Sequence, residues 1–452
     1  MGEVIKAGVT EFNWRLVKLS KCTRKIGSGI TPKGGDSVYV AAGVPLIRSQ
    51  NILNGVFSAE GLRYITSEQH DRMSGSKVYP NDILFNITGA SIGRCCLFPL
   101  EMEEANVNQH VCIVRLKEGF HAPFFAYVLS SKVAKRALHE SQAGGGREGL
   151  NFKNLGDFKI YVPPLPEQKA IASVLQCWDW GIEQLEAKLA AKDRIKKGLM
   201  QQLLSGQIRL PGFGRGGRIA KDEWRMPEGW ENIPLGEIFS FVKAYAFSRE
   251  QLTDESSEAP FVYNIHYGDL HARYPGPLLD FERERRVPVL KAEVARAEVL
   301  DYLRPGDLVM ADVSEDFKGV GACVELVNLK RRKVTAGLHT FVLRDIDGKT
   351  AEGFRGYLFK EYGLAKELRR IATGVSVYGL SKTNLSKVLL ALPPLDEQKA
   401  IVEVLSAADR EIDALRRKLA VWKAQKKYLL NNLVDGSIRL PEFASAAKEV
   451  AG

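Results

Sequence analysis

The chain is poor in the residues that build metal centres and covalent staples. It has six cysteines and seven histidines in 452 residues. No two cysteines stand as Cys-x-x-Cys, and no histidines cluster at zinc spacing, so neither a structural metal nor a disulfide scaffold is expected. Cys22, Cys95, Cys96, Cys112, Cys177 and Cys323 read as reduced thiols of a cytoplasmic protein. Long apolar runs are missing too. The longest, such as residues 111–114 and 388–392, have strand length, far short of the ~18–20 residues of a membrane span. The opening MGEVIKAGVTEF has no apolar stretch, so a secretory signal is not expected.

Catalytic signatures are equally scarce. There is no phosphate loop of the Walker type. The segment Asn/Asp-Pro-Pro-aromatic of amino-methyltransferases is absent, because Pro163-Pro164 and Pro393-Pro394 are preceded by Val162 and Leu392. No Ser/His/Asp grouping is signalled by spacing. Gly212, Gly214 and Gly217 spell Gly-x-Gly-x-x-Gly, but a dinucleotide site needs a strand before it and a helix after it. Here it follows a helix, so a flexible linker is expected. Glu167-Gln168-Lys169 and Glu397-Gln398-Lys399 imitate one end of a nuclease metal site. Without a second carboxylate on a neighbouring strand, they read as charges at a helix start. The chain reads as a binder without a reaction of its own.

What is present begins with ordinary globular composition, 45% hydrophobic and 26% charged, with length for about three domains. Lys plus Arg exceeds Asp plus Glu by 64 to 54, giving +10, a balance that suits nucleic acid without requiring it.

The chain also repeats itself. Residues 163–213 and 393–443 align without a gap at an offset of 230, with about half the positions identical. Proline pairs end the preceding strand, Asp396 suits an N-cap, and Glu167 and Glu397 suit the positive end of a helix dipole. Apolar residues then follow at alternating spacings of four and three. The first copy carries Ile171, Leu175, Trp178, Ile182, Leu185 and Leu189, and the second Ile401, Leu405, Ile412, Leu415, Leu419 and Trp422. That period predicts two long helices paired as an antiparallel coiled coil, ended by Gly206 and Gly436. From Ile171 to Leu203 such a helix rises ~48 Å.

The expected organisation is a first variable domain (1–162), a repeat helix (163–213), a second variable domain with its linker (214–392), a second repeat helix (393–443) and a tail (444–452). The variable domains barely resemble each other but share a layout. Each opens on a Trp, Trp14 or Trp230, and each carries a His before an apolar strand, His110 or His339. In the first, strands are expected at 38–40, 46–47, 83–85, 111–114 and 160–162, and helices at 67–73 and 124–139. In the second, strands are expected at 320–327 and 334–343, and a helix at 354–372. The fold class is α+β, with an internal pseudo-twofold repeat.

The candidate binding residues are those able to pair with base edges or phosphates. In the first domain they are Lys33, Arg48, Gln50, Asn51, Asn108, Gln109, His110 and, in a glycine-rich loop, Arg147. In the second they are Tyr263, Asn264 and His266, the basic turn Lys330, Arg331, Arg332 and Lys333, and His339.

The duplicated Pro-Pro-Leu-x-Glu-Gln helix, its Leu-x-x-Gly-x-Ile-Arg-Leu-Pro end, and Gly29-Ile30-Thr31-Pro32 with residues 43–52 resemble the DNA specificity subunit of type I restriction–modification systems. The match covers nearly the whole chain. The second domain departs from it, with no Thr-Pro in 243–249 and no Arg in 263–267. The resemblance implies two target recognition domains, each reading one half of a split, asymmetric site in double-stranded DNA. It implies paired helices that separate them and dock two modification subunits, with restriction subunits completing the complex. S-adenosylmethionine, ATP and Mg²⁺ would belong to those partners, this chain would hold no cofactor or metal, and it would be a cytoplasmic protein. A fused methyltransferase–nuclease and a coiled-coil adaptor for proteins are the rival readings.

Overall fold

The computed structural model describes residues 13–32, 34–142, 149–217, 225–254, 259–284 and 286–444. The chain divides into two compact units, 1–187 with 417–452 and 188–416. The division cuts through both repeat blocks. Each unit therefore holds one variable domain, the head of the long helix that follows it, and the tail of the other long helix.

The long helices run over Leu165–Leu204 and Leu395–Leu433. They end as expected, with Gly206 at φ +70° and Gly436 at φ +76°, a left-handed conformation that glycine adopts without strain. Both ends are crowded. A Cβ on Gly206 would lie 2.4 Å from Pro227, and one on Gly436 would meet the Trp14 ring at 3.4 Å.

The stripes are not used uniformly. Ile171, Ala172 and Leu175 enter the core of the first domain beside Phe124, Phe125 and Val128, joined there by Leu433 at the end of the other helix and Val434 just past it. Ile401 and Leu405 do the same in the second domain beside Phe354 and Tyr357, joined by Leu203 and Leu204. Further along, the helices face each other. In the first unit Trp178 packs edge-on against Trp422, with ring centroids 5.8 Å apart. Lys426 pairs with Asp179, and Lys423 with Glu186 at 2.6 Å. In the second unit Lys196 pairs with Asp409, and Lys192 with Glu411 at 2.9 Å. Partners on one helix rise in number as those on the other fall, so the pairing is antiparallel. The stripe thus serves both neighbours: its ends pack into the domains and its middle onto the other helix.

Each domain is built on the same plan. In the first, an antiparallel sheet is ordered Thr23–Ser28, Val111–Leu116, Ile83–Asn86, Cys95–Leu97. A second sheet is ordered Arg63–Ile65, Val44–Ile47, Ala105–Val107, Lys77–Val78, and its central pair is parallel. The second domain follows this with changes: its larger sheet gains a fifth strand, Leu278–Asp280, parallel to its neighbour, and the parallel pair of its other sheet lies at the edge. One sheet is ordered Phe239–Val242, Thr340–Asp345, Leu308–Ala311, Cys323–Val327, Leu278–Asp280. The other is ordered Leu252–Thr253, Val289–Leu290, Val262–Ile265, Lys333–Ala336, again with one parallel pair. The opening strand of each domain pairs with its closing strand, Arg15–Lys18 with Lys159–Val162 and Glu231–Pro234 with Leu389–Leu392.

Several expected elements differ. Residues 38–40 form no strand: a 3₁₀ turn ends at Val38, and Val40 makes only an isolated bridge to Tyr64. The helix expected at 124–139 is two, Ala122–Ser130 and Lys132–Gln142, divided at Ser131. The strand expected at 334–343 is broken by His339, which sits at φ +55°. The helix expected at 354–372 is Phe354–Leu358 and Tyr362–Ile371. The glycines after the first long helix fold back on its end: Gly217 N–H donates to Gly206 O at 2.8 Å, and a Cβ on Gly216 would lie 2.3 Å from Gln207 O. Gly212 and Gly214 sit at φ +94° and +89°, and a Cβ on Gly217 would lie 2.2 Å from Arg225 O, so left-handed turns and one close approach account for them rather than a nucleotide or a free linker.

The repeated Glu-Gln has a larger role than a helix-start charge. Glu167 and Glu397 are each 1% exposed. Glu167 accepts both guanidinium bonds of Arg439 at 2.8 Å and the Trp14 indole N–H at 3.0 Å. Glu397 accepts Arg209 at 2.9 and 2.6 Å and the Trp230 indole at 3.1 Å. The head of each repeat thus binds the Ile-Arg-Leu-Pro end of the other. The adjacent glutamines reach the domain backbone: Gln168 accepts from His121 N–H at 2.9 Å and Gln398 from Ala351 N–H at 2.8 Å. Tyr127 and Tyr357 donate to Asp179 and Asp409 at 2.7 and 2.6 Å, two equivalent contacts 230 residues apart.

All six cysteines are free, five of them buried. Burial pushes the Cys22 thiol up to about 11 and those of Cys96 and Cys112 to about 12. Among the described residues, no helix is long and apolar enough to cross a membrane, and no His, Cys, Asp or Glu group could hold a metal ion.

The buried acids make two predictions about stability. Arg209→Ala or Arg439→Ala leaves a buried carboxylate unpaired and should cost ~3–5 kcal/mol, read as a loss of stability in urea unfolding. Arg209→Met with Glu397→Leu should cost less than Arg209→Ala alone. The second concerns Glu325, fully buried and accepting from Gly353 and Gly356 N–H at 2.6 and 2.9 Å. Burial pushes its carboxyl up to about 7. The folded state holds that proton more tightly than the unfolded chain, so the stability it supplies is complete below about pH 4.5 and falls as pH rises through about 7. Glu325→Gln should flatten the dependence of urea stability between about pH 5 and 8; an unchanged slope would remove Glu325 as its source.

Candidate nucleic-acid interface

A parallel strand pair carries the candidate residues of each domain to one sheet end. In the first domain Leu46 and Ile47 lie beside Asn106 and Val107, and Asn108 N–H donates to Ile47 O at 3.1 Å. The turn at Ser49–Asn51 and the segment at 108–110 therefore emerge side by side. In the second domain Ile265 lies beside Ala336, and Gly337 N–H donates to Ile265 O at 2.9 Å. Residues 266–267 and 337–339 emerge in the same way. Glycine is needed at 337, because a Cβ there would lie 2.5 Å from Asn264 Oδ1.

In the first domain Gln50 and Gln109 are exposed, while Arg48 and His110 are half-buried. Arg48 donates through Nη2 to Gly61 O at 2.9 Å, and its Nε is buried with no partner in the structure. Gln109 contacts Thr31, and His110 Nδ1 lies 2.7 Å from Thr88 Oγ1. Asn51 corrects the sequence reading. It is 0% exposed, its oxygen accepts from Arg48 N–H at 3.0 Å, and its amide donates to Ser58 O and Glu60 O at 3.0 and 3.1 Å. These bonds shape the loop and leave nothing for a base. Asn108 is buried too and accepts from His110 N–H at 3.1 Å. Lys33 and Arg147 lie outside the described residues.

The second domain presents rings. Tyr267 lies 4.7 Å from the His266 ring, 5.5 Å from His339 and 6.4 Å from His271. Three of the seven histidines of the chain thus meet around one tyrosine. His339 Nδ1 faces Asp312 Oδ1 at 3.4 Å, and burial raises the Asp312 carboxyl above its ordinary value. Burial lowers His266, which accepts from Gly268 N–H at 3.3 Å. His271 and Tyr267 are not among the sequence candidates, yet their spacing of four on the helix Tyr267–Ala272, with His266 at its N-cap, brings those three rings together locally, and His339 joins from a separate segment. Asn264 is 0% exposed and donates to Thr335 Oγ1 at 3.0 Å, so it lies beneath the surface that a base would meet.

The basic turn is not part of this cluster. Lys333 begins the strand whose far end leads to His339. Lys330 pairs with Glu282, Lys333 sits over the Tyr302 ring at 5.1 Å, and Arg332 over Tyr263 at 6.0 Å. Tyr263 packs edge-on against Phe281. Arg331 is exposed.

Each domain thus presents a distinct set of polar and aromatic side chains at the equivalent sheet end. The family model described as type I restriction modification DNA specificity domain matches residues 16–192 and 301–421, and the chain belongs to that family. Within such a system it is the specificity component, supplying DNA recognition rather than catalysis, which disfavours the fused-enzyme and adaptor readings. A putative type I restriction enzyme MjaX specificity subunit of Methanocaldococcus jannaschii is 22% identical over 442 residues, 95% of this chain and 94% of that protein. A chain from a structure reported as the basis of complex assembly and conformational transition of the type I R-M system aligns at TM-score 0.57 and 19% identity, covering 94% of this chain and 98% of that one. The S subunit of a type I system from M. genitalium aligns at TM-score 0.53 and 14% identity, covering 94% and 96%. The structural likenesses concern the fold.

Asn51→Ala should unfold the loop it supports. The expected result is a cost of ~1–3 kcal/mol from its stranded partners, with loss of DNA affinity that is uniform across sequences. A changed base preference without lost stability would return Asn51 to the reading surface.

Proposed function

We propose that the chain reads a bipartite, asymmetric site in double-stranded DNA, with one half taken by each domain at the sheet end described above. The observation that carries this is the repeated parallel pair, which delivers unlike side chains to equivalent places. Arg48, Gln50 and Gln109 offer paired donors and acceptors suited to guanine and adenine edges. Tyr267, His266 and His339 offer rings and single ring nitrogens. Unlike readers at like places suit unlike half-sites.

The long helices then serve two modification subunits, one per unit, with restriction subunits completing the assembly. Apolar side chains uncovered on the helices support this: Trp180 is 64% exposed, Tyr428 60% and Ile195 63%. S-adenosylmethionine, ATP and Mg²⁺ belong to those partners, and the assembly works in the cytoplasm, where the DNA is.

The test is to reconstitute the modification complex and map methylated adenines. Arg48→Ala or Gln109→Ala should relax one half-site by ~1–3 kcal/mol and leave the other intact. His339→Ala should relax only the second. Equal weakening on cognate and random DNA would sink the base-reading roles. Alanine at residues 330–333 should leave both base preferences unchanged, and any effect should appear in the salt dependence alone.

A further inference from the structure

The two repeats share the groups that close each unit. Glu167 and Glu397, Arg209 and Arg439, Asp179 and Asp409, and Lys196 and Lys426 are identical pairs at the offset of 230. Their bonds would form equally well if a first helix met the first helix of another copy. Those bonds therefore cannot choose a partner.

The middle of the helices differs. In the first unit Glu186 meets Lys423 at 2.6 Å. In the second the equivalent positions hold Arg416 and Asp193, which meet at 3.1 Å with the signs exchanged. One layer away the first unit packs Trp178 on Trp422, with Gly181 beneath the indole: a Cβ at 181 would lie 3.0 Å from Trp422 Cζ3. The equivalent layer of the second unit is the ion pair of Lys192 with Glu411 at 2.9 Å.

We propose that these four mismatched positions specify pairing of the first helix with the second and reject pairing of either helix with a second copy of itself. Two first helices would set Glu186 against Asp193, and Gly181 against Lys192. Two second helices would set Arg416 against Lys423, and Glu411 against the Trp422 ring. Both self-pairings bring like charges together and lose the tryptophan contact. A two-chain assembly has each clash twice, so individually small surface terms add. The device resembles the charge patterns by which coiled coils choose partners. It keeps the two unlike domains in one chain and excludes assemblies built from two like halves. The argument is independent of what the domains bind.

The test exchanges the signs of one pair in the full-length chain. Glu186→Lys with Lys423→Glu keeps an ion pair within the monomer. It also makes self-pairing attractive, because the new lysine at 186 would face Asp193 and the new glutamate at 423 would face Arg416. The variant should keep the wild-type circular dichroism and melting temperature. After unfolding and refolding at high concentration, light scattering on a sizing column should show the dimer fraction raised roughly threefold or more over wild type. Adding Gly181→Glu with Trp422→Lys should raise it further. Monomer fractions equal to wild type in both variants would overturn the proposal. So would dimers that separate on dilution without unfolding, since they would join through an outer face.

Discussion

A carboxylate buried at the head of each long helix organises this protein. Removed from water, Glu167 and Glu397 are tolerable only with a bidentate cation and their remaining lone pairs occupied. The domain beside each supplies one indole N–H, and the arginine comes from the end of the other repeat. Arg209 is 188 residues from Glu397, and Arg439 is 272 from Glu167. Loop entropy hardly separates those distances, at a few tenths of a kcal/mol. The order of synthesis does separate them. The second unit has its arginine before its domain is made, whereas the first must hold an unpaired Glu167 until the second repeat is made. The same constraint makes neither unit complete without both repeats.

The attachment of domain to frame uses groups that divergence in the domain does not disturb. Gln168 and Gln398 take backbone N–H groups at His121 and Ala351, so the side chains there are free to differ. Only the tyrosine facing Asp179 or Asp409, and the opening tryptophan, are repeated side chains within these domain-to-helix bonds. Two domains with little sequence in common can therefore sit on the same helix head. The buried cluster of Glu325, Arg355 and the Gly353 and Gly356 amides shows the second domain building its own support for a helix start, beside the shared contacts.

Much of the frame is legible in the sequence because repetition and period are properties of sequence alone. The helices, their glycine ends and their pairing follow from spacing. The role of the Glu-Gln pair is not legible, because a charge at a helix start looks the same whether solvated or buried, and its arginine partner stands at the far end of the other copy. The asparagines mislead for a related reason: Asn51 and Asn264 carry base-reading chemistry, but a buried loop backbone at the first and a buried threonine hydroxyl at the second take up the same groups. Gln50 and Gln109 differ from them in exposure, which spacing does not report. In the ring cluster around Tyr267, one helix start brings His266, Tyr267 and His271 together, while His339 joins from a distant segment that nothing local marks.

Asymmetry is the thread between frame and site. A symmetric pair of domains would read a palindrome, and identical helices would assemble as readily between chains as within one. Here the closing bonds are the same in both units, and the differences that bear on reading and on pairing lie at the sheet ends and in the helix middles. Unlike readers demand that one of each be present, and common closing bonds cannot enforce that. The opposed signs at 186 and 416, and at 193 and 423, are where that requirement can be met without altering the buried contacts that each domain shares with its helix. Selectivity then sits on exposed side chains of modest energy, and stability on buried groups, so that either can change while the other is kept.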